Sequence, residues 1–427
     1  MDSMANEINK EKQKDMINQD SFNGYVCVIV STLNQMVNYI PIKYFGFNEI
    51  YIITTKHEDG ADNTKWDKNL TESFEKEINI TPIGFHKNSF FDFAQIKNRL
   101  TNELKKGKLQ NKKIFWNITG GQRHILLAIN EAIKEQNRND DVMCYLEGNK
   151  NTMTFIYKDE ESKTLSDYEL DNLTIETALK LMNFNAKDTK TSHDNLITCK
   201  TEVFLKEKEF YLKFFDKYIE FSKNPEIKHK MLENFIKLNT NYSEAEKKER
   251  VKAIKYLKDR FKDINQEILE KELTQNQNET KNIKSFGYIL EKLAGYKIYE
   301  LVEKSVADMS FSLKINFLDK NDEGCIDEFD IALLTKNGKF IIFECKSGAM
   351  SGDVAKSTKY STYAISGVYG KPILITPFAN YNDEDIKNKN FDNLDSTIKA
   401  AKRATLEVCG LDEIEEKIKK YIPKDKK

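Results

Sequence analysis

Cysteine is scarce: six in 427 residues, at 27, 144, 199, 325, 345 and 409, with no CxxC pair among them. That excludes a zinc ribbon and a disulfide framework, and it points to a reducing compartment. The five histidines include no HExxH, so no metalloprotease helix is present. No stretch is apolar over a length that would span a membrane, and the polar N-terminus carries no signal-peptide pattern. GxGxxG is missing, which removes a dinucleotide fingerprint, and nothing repeats at a fixed period. An excess of one charge is missing too. The chain has 67 basic and 68 acidic residues, a net charge of −1, so contact with nucleic acid would rest on local patches. These absences describe a soluble, cytoplasmic protein, long enough for two or three domains with ample core.

What is present centres on Ile326–Ser347, IDEFDIALLTKNGKFIIFECKS. It reads as two strands joined at Asn337-Gly338, two residue types that tolerate positive φ. Side chains alternate along a strand, so Phe340, Ile342, Glu344 and Lys346 share one side, and Glu328 and Asp330 share a side of the first strand. Asp330, Glu344 and Lys346 are thus ionisable groups on strands that otherwise read as buried. Buried charge is costly unless paired or bound to metal. Two carboxylates with a lysine suit a divalent ion that activates water against a phosphodiester. The plain alternative is a hairpin in which Lys346 pairs with a carboxylate. The spacing and the apolar surroundings favour the catalytic reading.

Asp330 followed by Glu344-x-Lys346, behind a helix carrying Glu291, resembles the PD-(D/E)XK nuclease core. The resemblance covers about the last third of the chain. It implies that Asp330 and Glu344 hold Mg²⁺ or Mn²⁺, that Lys346 orients or activates the attacking water, and that Glu291 assists with metal. The proline usual before the Asp is replaced by Phe329. Glu291 lies in Lys284–Leu301, a helix expected to break near Gly295, and an exposed helix glutamate is nearly as good a reading of it.

The N-terminal part begins with Tyr25–Val30 (YVCVIV), a continuous apolar run that predicts a strand covered on both faces. Ser31-Thr32-Leu33-Asn34-Gln35 follows, then a helical stretch to about Phe45 in which Pro41 could introduce a kink. Glu49–Thr54 is the next strand. Strand, helix, strand at this spacing predicts a parallel, Rossmann-like sheet. Further strands are expected at 78–85 and 113–117. After the last of these, Thr119-Gly120-Gly121-Gln122-Arg123 leads into a helix. Glycines between a strand end and a helix start let backbone N–H groups approach an anion, and Arg123 suits phosphate. A glycine turn with a surface arginine is the bland alternative. The functional reading is favoured because both loops follow parallel strands. Strands at 143–148 and 153–157 close the unit.

This region resembles the CARF domain, the sensor of cyclic oligoadenylates in type III CRISPR defence. Thr119–Arg123 looks like that family's glycine motif and Ser31–Gln35 like its first ligand loop. Gln122 stands where Thr or Asn is commoner. A CARF domain joined to a PD-(D/E)XK domain is the architecture of the CRISPR-associated nucleases activated by cyclic tetra-adenylate. The resemblance implies that Ser31, Thr32, Asn34, Gln35, Thr119, Gly120, Gly121, Gln122 and Arg123 bind the activator. It also implies a homodimer with DNA or RNA as substrate.

Residues 200–275 read as strongly helical. Phe204, Phe210, Phe214, Phe215, Tyr218 and Phe221 form a stripe expected in a core or a dimer interface, and Ser243 with Glu246 forms a capping box. Lys356, Lys359 and Tyr360 follow the catalytic strands on a helical stretch that could meet nucleic acid or simply be solvated. The expected organisation is a polar extension over 1–22, an α/β sensor over 23–165, a helical connector over 166–280 and an α/β nuclease over 281–427. The polar stretch Gln275–Lys281 marks the last boundary. Two other readings stay open: a restriction- or repair-type nuclease whose N-terminal domain binds a partner or another nucleotide, and a non-catalytic ligand-binding regulator.

Overall fold

The computed structural model describes residues 17–56, 65–74, 78–86, 88–158, 162–186, 201–239, 243–274, 285–318, 326–348, 350–381 and 395–422. Residues 1–16 of the expected extension and the Gln275–Lys281 boundary lie outside the described residues.

The chain begins with alternating strands and helices: β1 (Val26–Val30), α1 (Met36–Phe45), β2 (Glu49–Lys56), α2 (Lys65–Thr71), β3 (Asn79–His86), α3 (Phe93–Lys106), β4 (Ile114–Asn117), α4 (Arg123–Glu135) and β5 (Val142–Glu147). With β6 (Thr152–Ile156) and β7 (Ser162–Ser166) they form a seven-stranded sheet in the order β3-β2-β1-β4-β5-β6-β7. The first five strands in this order are parallel, and β6 and β7 are antiparallel additions. All of β1 and β4 is buried, as continuous apolar runs require. Val26, Val28 and Val30 pack under α3 and α4, while Cys27 and Ile29 face α1. The strand order reverses between β1 and β4, so the loops after these strands meet at a topological switch point.

Pro41 lies within α1, yet the helix continues to Phe45 and ends at Gly46 with φ 67°. Proline has no N–H for the Val37 carbonyl. Asn117 Nδ2 donates to that carbonyl at 2.9 Å instead.

The middle of the chain is helical. After α5 (Ile175–Leu181) come α6 (Glu202–Ser222), α7 (Pro225–Lys237), α8 (Glu244–Arg260) and α9 (Gln266–Thr274). Phe204, Phe210, Phe214, Phe215 and Tyr218 are core, in contact with the next helix, α10 (Ser285–Val302). The Ser243–Glu246 capping box is formed. Helix α10 does not break at Gly295. A Cβ there would stand 2.7 Å from the Phe311 ring, so glycine instead lets the helix approach a strand closely.

A six-stranded mixed sheet follows, in the order β13-β12-β11-β10-β9-β8. Its strands are β8 (Phe184–Ala186), β9 (Val306–Phe317), β10 (Asp327–Thr335), β11 (Phe340–Cys345), β12 (Lys371–Ile375) and β13 (Glu407–Cys409). Strand β8 comes from the stretch expected to be wholly helical and pairs antiparallel with β9. Helices α11 (Gly352–Ser366), α12 (Asp395–Ala404) and α13 (Ile414–Tyr421) complete the chain. Ile331, Leu333, Ile341 and Phe343 pack with the helical middle. Ala332, Leu334, Phe340 and Ile342 join the core of the first sheet. Each such fully buried side chain contributes roughly 1.5–3 kcal/mol. The molecule is therefore α/β, with an N-terminal Rossmann-like sheet, a helical middle and a C-terminal mixed sheet.

Candidate active site and ligand cleft

The central hairpin forms where the sequence predicts it, with a different turn. Gly338 alone has positive φ, 84°, and its N–H donates to the Thr335 carbonyl at 2.9 Å. Lys336 and Asn337 are thus the central residues of the turn, and Gly338 supplies the left-handed step that returns the chain to the strand. Ile331 pairs with Phe343 in the antiparallel register, so the next step sets Asp330 opposite Glu344. Like charges directly opposite on one face repel.

Asp330 Oδ2 accepts the Cys345 N–H at 2.6 Å. Glu344 is buried and forms an ion pair with the half-buried Lys346 ammonium. Burial, then the charge of Glu291, push Asp330 well above the usual carboxylate range. Burial, then Asp330, do the same to Glu344. Burial also raises Glu291; Lys346 opposes this rise and Glu344 adds to it. Burial alone would depress Lys346, but Glu344 and Asp330 outweigh it and keep the ammonium protonated. The structure thus brings together all four residues singled out in the sequence, Glu291 included. Glu328, which sequence reasoning placed on the same face and gave no role, adds negative potential at Asp330 and Glu291.

Three carboxylates lie around one ammonium, and Glu328 adds further negative potential, so acidic groups outnumber basic ones in the cluster. The donors are all hard oxygens, which suits Mg²⁺ or Mn²⁺. Among the described residues no group of three or more His, Cys, Asp and Glu side chains forms a set that could hold an ion. Asp330 is held by the Cys345 amide, and Glu344 by Lys346. A cation would replace Lys346 as the partner of Glu344.

The second cleft lies at the switch point. The Ser31–Gln35 loop and the Thr119–Arg123 loop touch: a Cβ on Gly120 would lie 2.9 Å from Thr32 Cγ2. Gly121 has φ 90°, and a Cβ there would lie 2.3 Å from Val30 Cγ1. Gln122 and Arg123 are exposed at the start of α4. A cation at a helix N-terminus is unfavourable for the helix itself, whereas an anion placed there would answer both.

Not every predicted ligand residue faces outward. Ser31 Oγ donates to Asp67 Oδ1 at 2.6 Å, and Gln35, fully buried, donates to the same oxygen at 3.0 Å. Thr119 Oγ1 donates to Asn117 Oδ1 at 2.7 Å and accepts from the Leu146 amide at 2.8 Å. These three side chains shape the loops from within. Sequence reasoning missed Asp67 and Asn117, which accept from them, and Asn38, whose amide donates to Gln35 Oε1. The available signal was Pro41, whose missing N–H leaves the Val37 carbonyl in need of a donor.

The hairpin turn packs on α1. A Cβ on Gly338 would lie 3.0 Å from Met36 Sδ and 3.1 Å from Ile40 Cδ1 of α1. A Cβ on Gly367, just after α11, would lie 2.5 Å from Asn34 Nδ2.

No protein-family model and no curated protein matches the sequence. Solved structures do match. Protein VC1899 from Vibrio cholerae superposes with a TM-score of 0.61 at 15% identity, over 92% of this chain and 95% of that one. Can2 from Sulfobacillus thermosulfidooxidans, solved in complex with cyclic tetra-adenylate, superposes with a TM-score of 0.58 at 14% identity, over 95% and 99% of the two chains. The chain has the fold of Can2 and VC1899. The likeness is one of architecture and runs through the N-terminal sheet, helical middle and C-terminal sheet alike.

Proposed function

We propose that this protein is a divalent-metal-dependent nuclease that cleaves DNA and/or RNA and is switched on by a cyclic oligoadenylate, cyclic tetra-adenylate first among them, in type III CRISPR defence. The observation that carries the catalytic half is the buried cluster of Asp330, Glu344, Glu291 and Lys346, in which three carboxylates share one ammonium. The fold shared with Can2, which was solved with cyclic tetra-adenylate, supports the sensor half. Residues 23–165 form the sensor, 166–280 the connector and 281–427 the nuclease. No helix among the described residues is long and apolar enough to cross a membrane.

Asp330 and Glu344 would hold Mg²⁺ or Mn²⁺, with Glu291 assisting. The ion supplies a water of lowered pKa and stabilises charge on the leaving oxygen. Lys346, held protonated, steadies the negative charge that builds on the phosphate as water attacks phosphorus and the P–O bond breaks. In the sensor, the Gly120 and Gly121 backbone, Arg123 and the tip of the Thr32–Asn34 loop grip the ring. A symmetric ring suits a two-fold axis, so the sensor acts as a homodimer. The ring must favour the cleavage-competent arrangement differentially, or it would shift nothing.

The test is cleavage of supercoiled plasmid, single-stranded DNA and single-stranded RNA with Mn²⁺, with and without cyclic tri-, tetra- and hexa-adenylate. Cleavage with one ring only is the expected result. Cleavage without any ring would make the protein a nuclease under other control. No cleavage under any condition, together with no metal binding, would make it a ligand-binding regulator.

A further inference from the structure

A chain of buried polar side chains runs beneath the switch point from α2 to β5. Thr54 Oγ1 donates to Asp67 Oδ2 at 2.7 Å, and Ser31 and Gln35 donate to Asp67 Oδ1. Asn38 Nδ2 donates to Gln35 Oε1 and to the Val30 carbonyl, both at 2.9 Å. Asn117 Nδ2 donates to Asn38 Oδ1 and to the Val37 carbonyl, both at 2.9 Å. Asn117 Oδ1 accepts the Thr119 N–H at 3.1 Å and the Thr119 hydroxyl at 2.7 Å. The chain therefore starts at the base of one cleft loop and ends in the other.

Its members are as buried as any core residue: Gln35, Asn38 and Thr54 are 0% exposed, Asn117 1% and Asp67 2%. Apolar side chains would fill this space without the desolvation cost of amides and a carboxylate. What the polar chain adds is a single geometry. Asn38 and Asn117 each use both amide protons and the amide oxygen, so neither can rotate or flip without leaving a buried group unpaired. Pro41 is part of the device, because proline has no N–H and leaves the Val37 carbonyl to Asn117.

We propose that Asp67 and Asn117 are positioning residues that lock the Ser31–Gln35 and Thr119–Arg123 loops at one spacing, and so set the affinity for the cyclic oligoadenylate. Neither side chain touches the ring. Asp67 turns Ser31 and Gln35 inward, and Asn34 is turned towards Gly367, which leaves Thr32 and Leu33 at the loop tip. Asn117 holds Thr119, which fixes where the Gly120-Gly121 amides point. The inference rests on the sensor reading above for the identity of the ligand, but the coupling between the loops does not.

The experiment uses the full chain and four variants: Asp67→Ala, Asp67→Asn, Asn117→Leu and Asn117→Ala. Hydrogen exchange of residues 31–35 and 119–123 is followed without ligand. Binding of cyclic tetra-adenylate and cleavage at saturating ring are measured alongside. Leaving buried partners unpaired costs about 1–3 kcal/mol, a weakening of ring binding on the order of 10- to 100-fold. That loss is expected for Asp67→Ala and for both Asn117 variants, with the saturated cleavage rate near wild type. Asp67→Asn should retain most of the affinity: its oxygen can still accept from Ser31 and Gln35, and the Thr54 hydroxyl can accept from its amide. Asn117→Leu, a change on β4, should also speed exchange in 31–35 across the cleft. Asn117→Ala guards against strain from the bulkier side chain. If exchange in 31–35 is unmoved by both Asn117 variants, the proposal is wrong whatever the ligand. It is equally wrong if melting temperature and saturated rate fall while ring affinity stays put. A wild-type protein that binds no ring, yet shows the cross-cleft exchange, would overturn the sensor reading and leave the loop coupling standing.

Discussion

The two candidate sites of this molecule both rest on buried polar side chains, yet they are built on opposite principles. Under the sensor loops the Asn38 and Asn117 amides have every donor and acceptor used, and the network has one arrangement. At the C-terminal hairpin three carboxylates share one ammonium, and burial makes each charge more costly. The first network has every Asn38 and Asn117 donor and acceptor used. The second gathers more acidic groups than basic ones. A site that must recognise one shape gains from being finished before the ligand arrives. A site that must draw in a metal ion gains from unspent negative charge.

The sharpest way to break this comparison is Glu344→Ala. It removes a donor from the unbalanced cluster and touches nothing in the sensor. Cleavage should fall by about three orders of magnitude or more, as expected where metal-assisted hydrolysis loses a ligand. Binding of cyclic tetra-adenylate, measured by titration, should stay at the wild-type value. A variant that still cleaves at the wild-type rate would remove Glu344 from the chemistry.

Next in size is Gly121→Ala, in the finished cleft. The backbone there has φ 90°, and the new Cβ would meet Val30 Cγ1 at 2.3 Å. The left-handed conformation alone costs roughly 1–2 kcal/mol for an L-residue, and the clash adds to it. Melting temperature should drop by several degrees, and ring binding should weaken with it. Gly120→Ala makes the internal control. Its Cβ would meet the end of the Thr32 side chain at 2.9 Å, and its φ is not positive, so a small shift absorbs it. Equal losses in the two variants would mean that the left-handed step at Gly121 matters little.

A smaller effect is expected from Arg123→Ala. Arg123 is exposed and lies outside the buried network, so it contributes charge rather than shape. Loss of one charge-assisted contact should raise the ring concentration needed for half-activation about tenfold, and the difference should shrink as salt is raised. Unchanged activation at low salt would take Arg123 out of the cleft.

How far the sequence carried each cleft follows from the same contrast. The grouping of Asp330, Glu344 and Lys346 was legible because these three lie on one hairpin, where strand alternation places them without knowledge of the rest. The parallel sheet was legible from runs such as YVCVIV. The positioning network was not, because Asp67 and Asn117 reach Ser31 and Thr119 only through helix packing and strand order. Strand β8 was missed for a similar reason: three residues gain their pairing only from a strand more than a hundred positions later. Gly295 and Pro41 misled for the opposite reason. Read locally they break helices, whereas here tertiary contacts use the one for a close approach and the other for a free carbonyl.

The finest test sets proton against metal. Asp330, Glu344 and Glu291 have folded-state pKa values raised above their unfolded values of about 4. The folded cluster therefore binds protons more tightly than the unfolded chain does. The stability this provides is fully present below about pH 4 and is lost as pH rises through the raised folded values. Within the range where the protein stays folded, metal-free protein should melt at a higher temperature near pH 5 than near pH 8. A divalent ion takes over the role of the protons, so Mn²⁺ should raise the melting temperature by a few degrees at pH 8 and by little at pH 5. Asp308 is also raised by burial and shifts stability in the same direction, but it lies away from the cluster and should not respond to metal. Glu344→Gln separates the two. It should flatten the part of the pH slope that Mn²⁺ removes in the wild type and leave the remainder. A slope unaffected by Glu344→Gln, with the same Mn²⁺ shift at both pH values, would mean that the carboxylates are already balanced, and the contrast between the clefts would collapse.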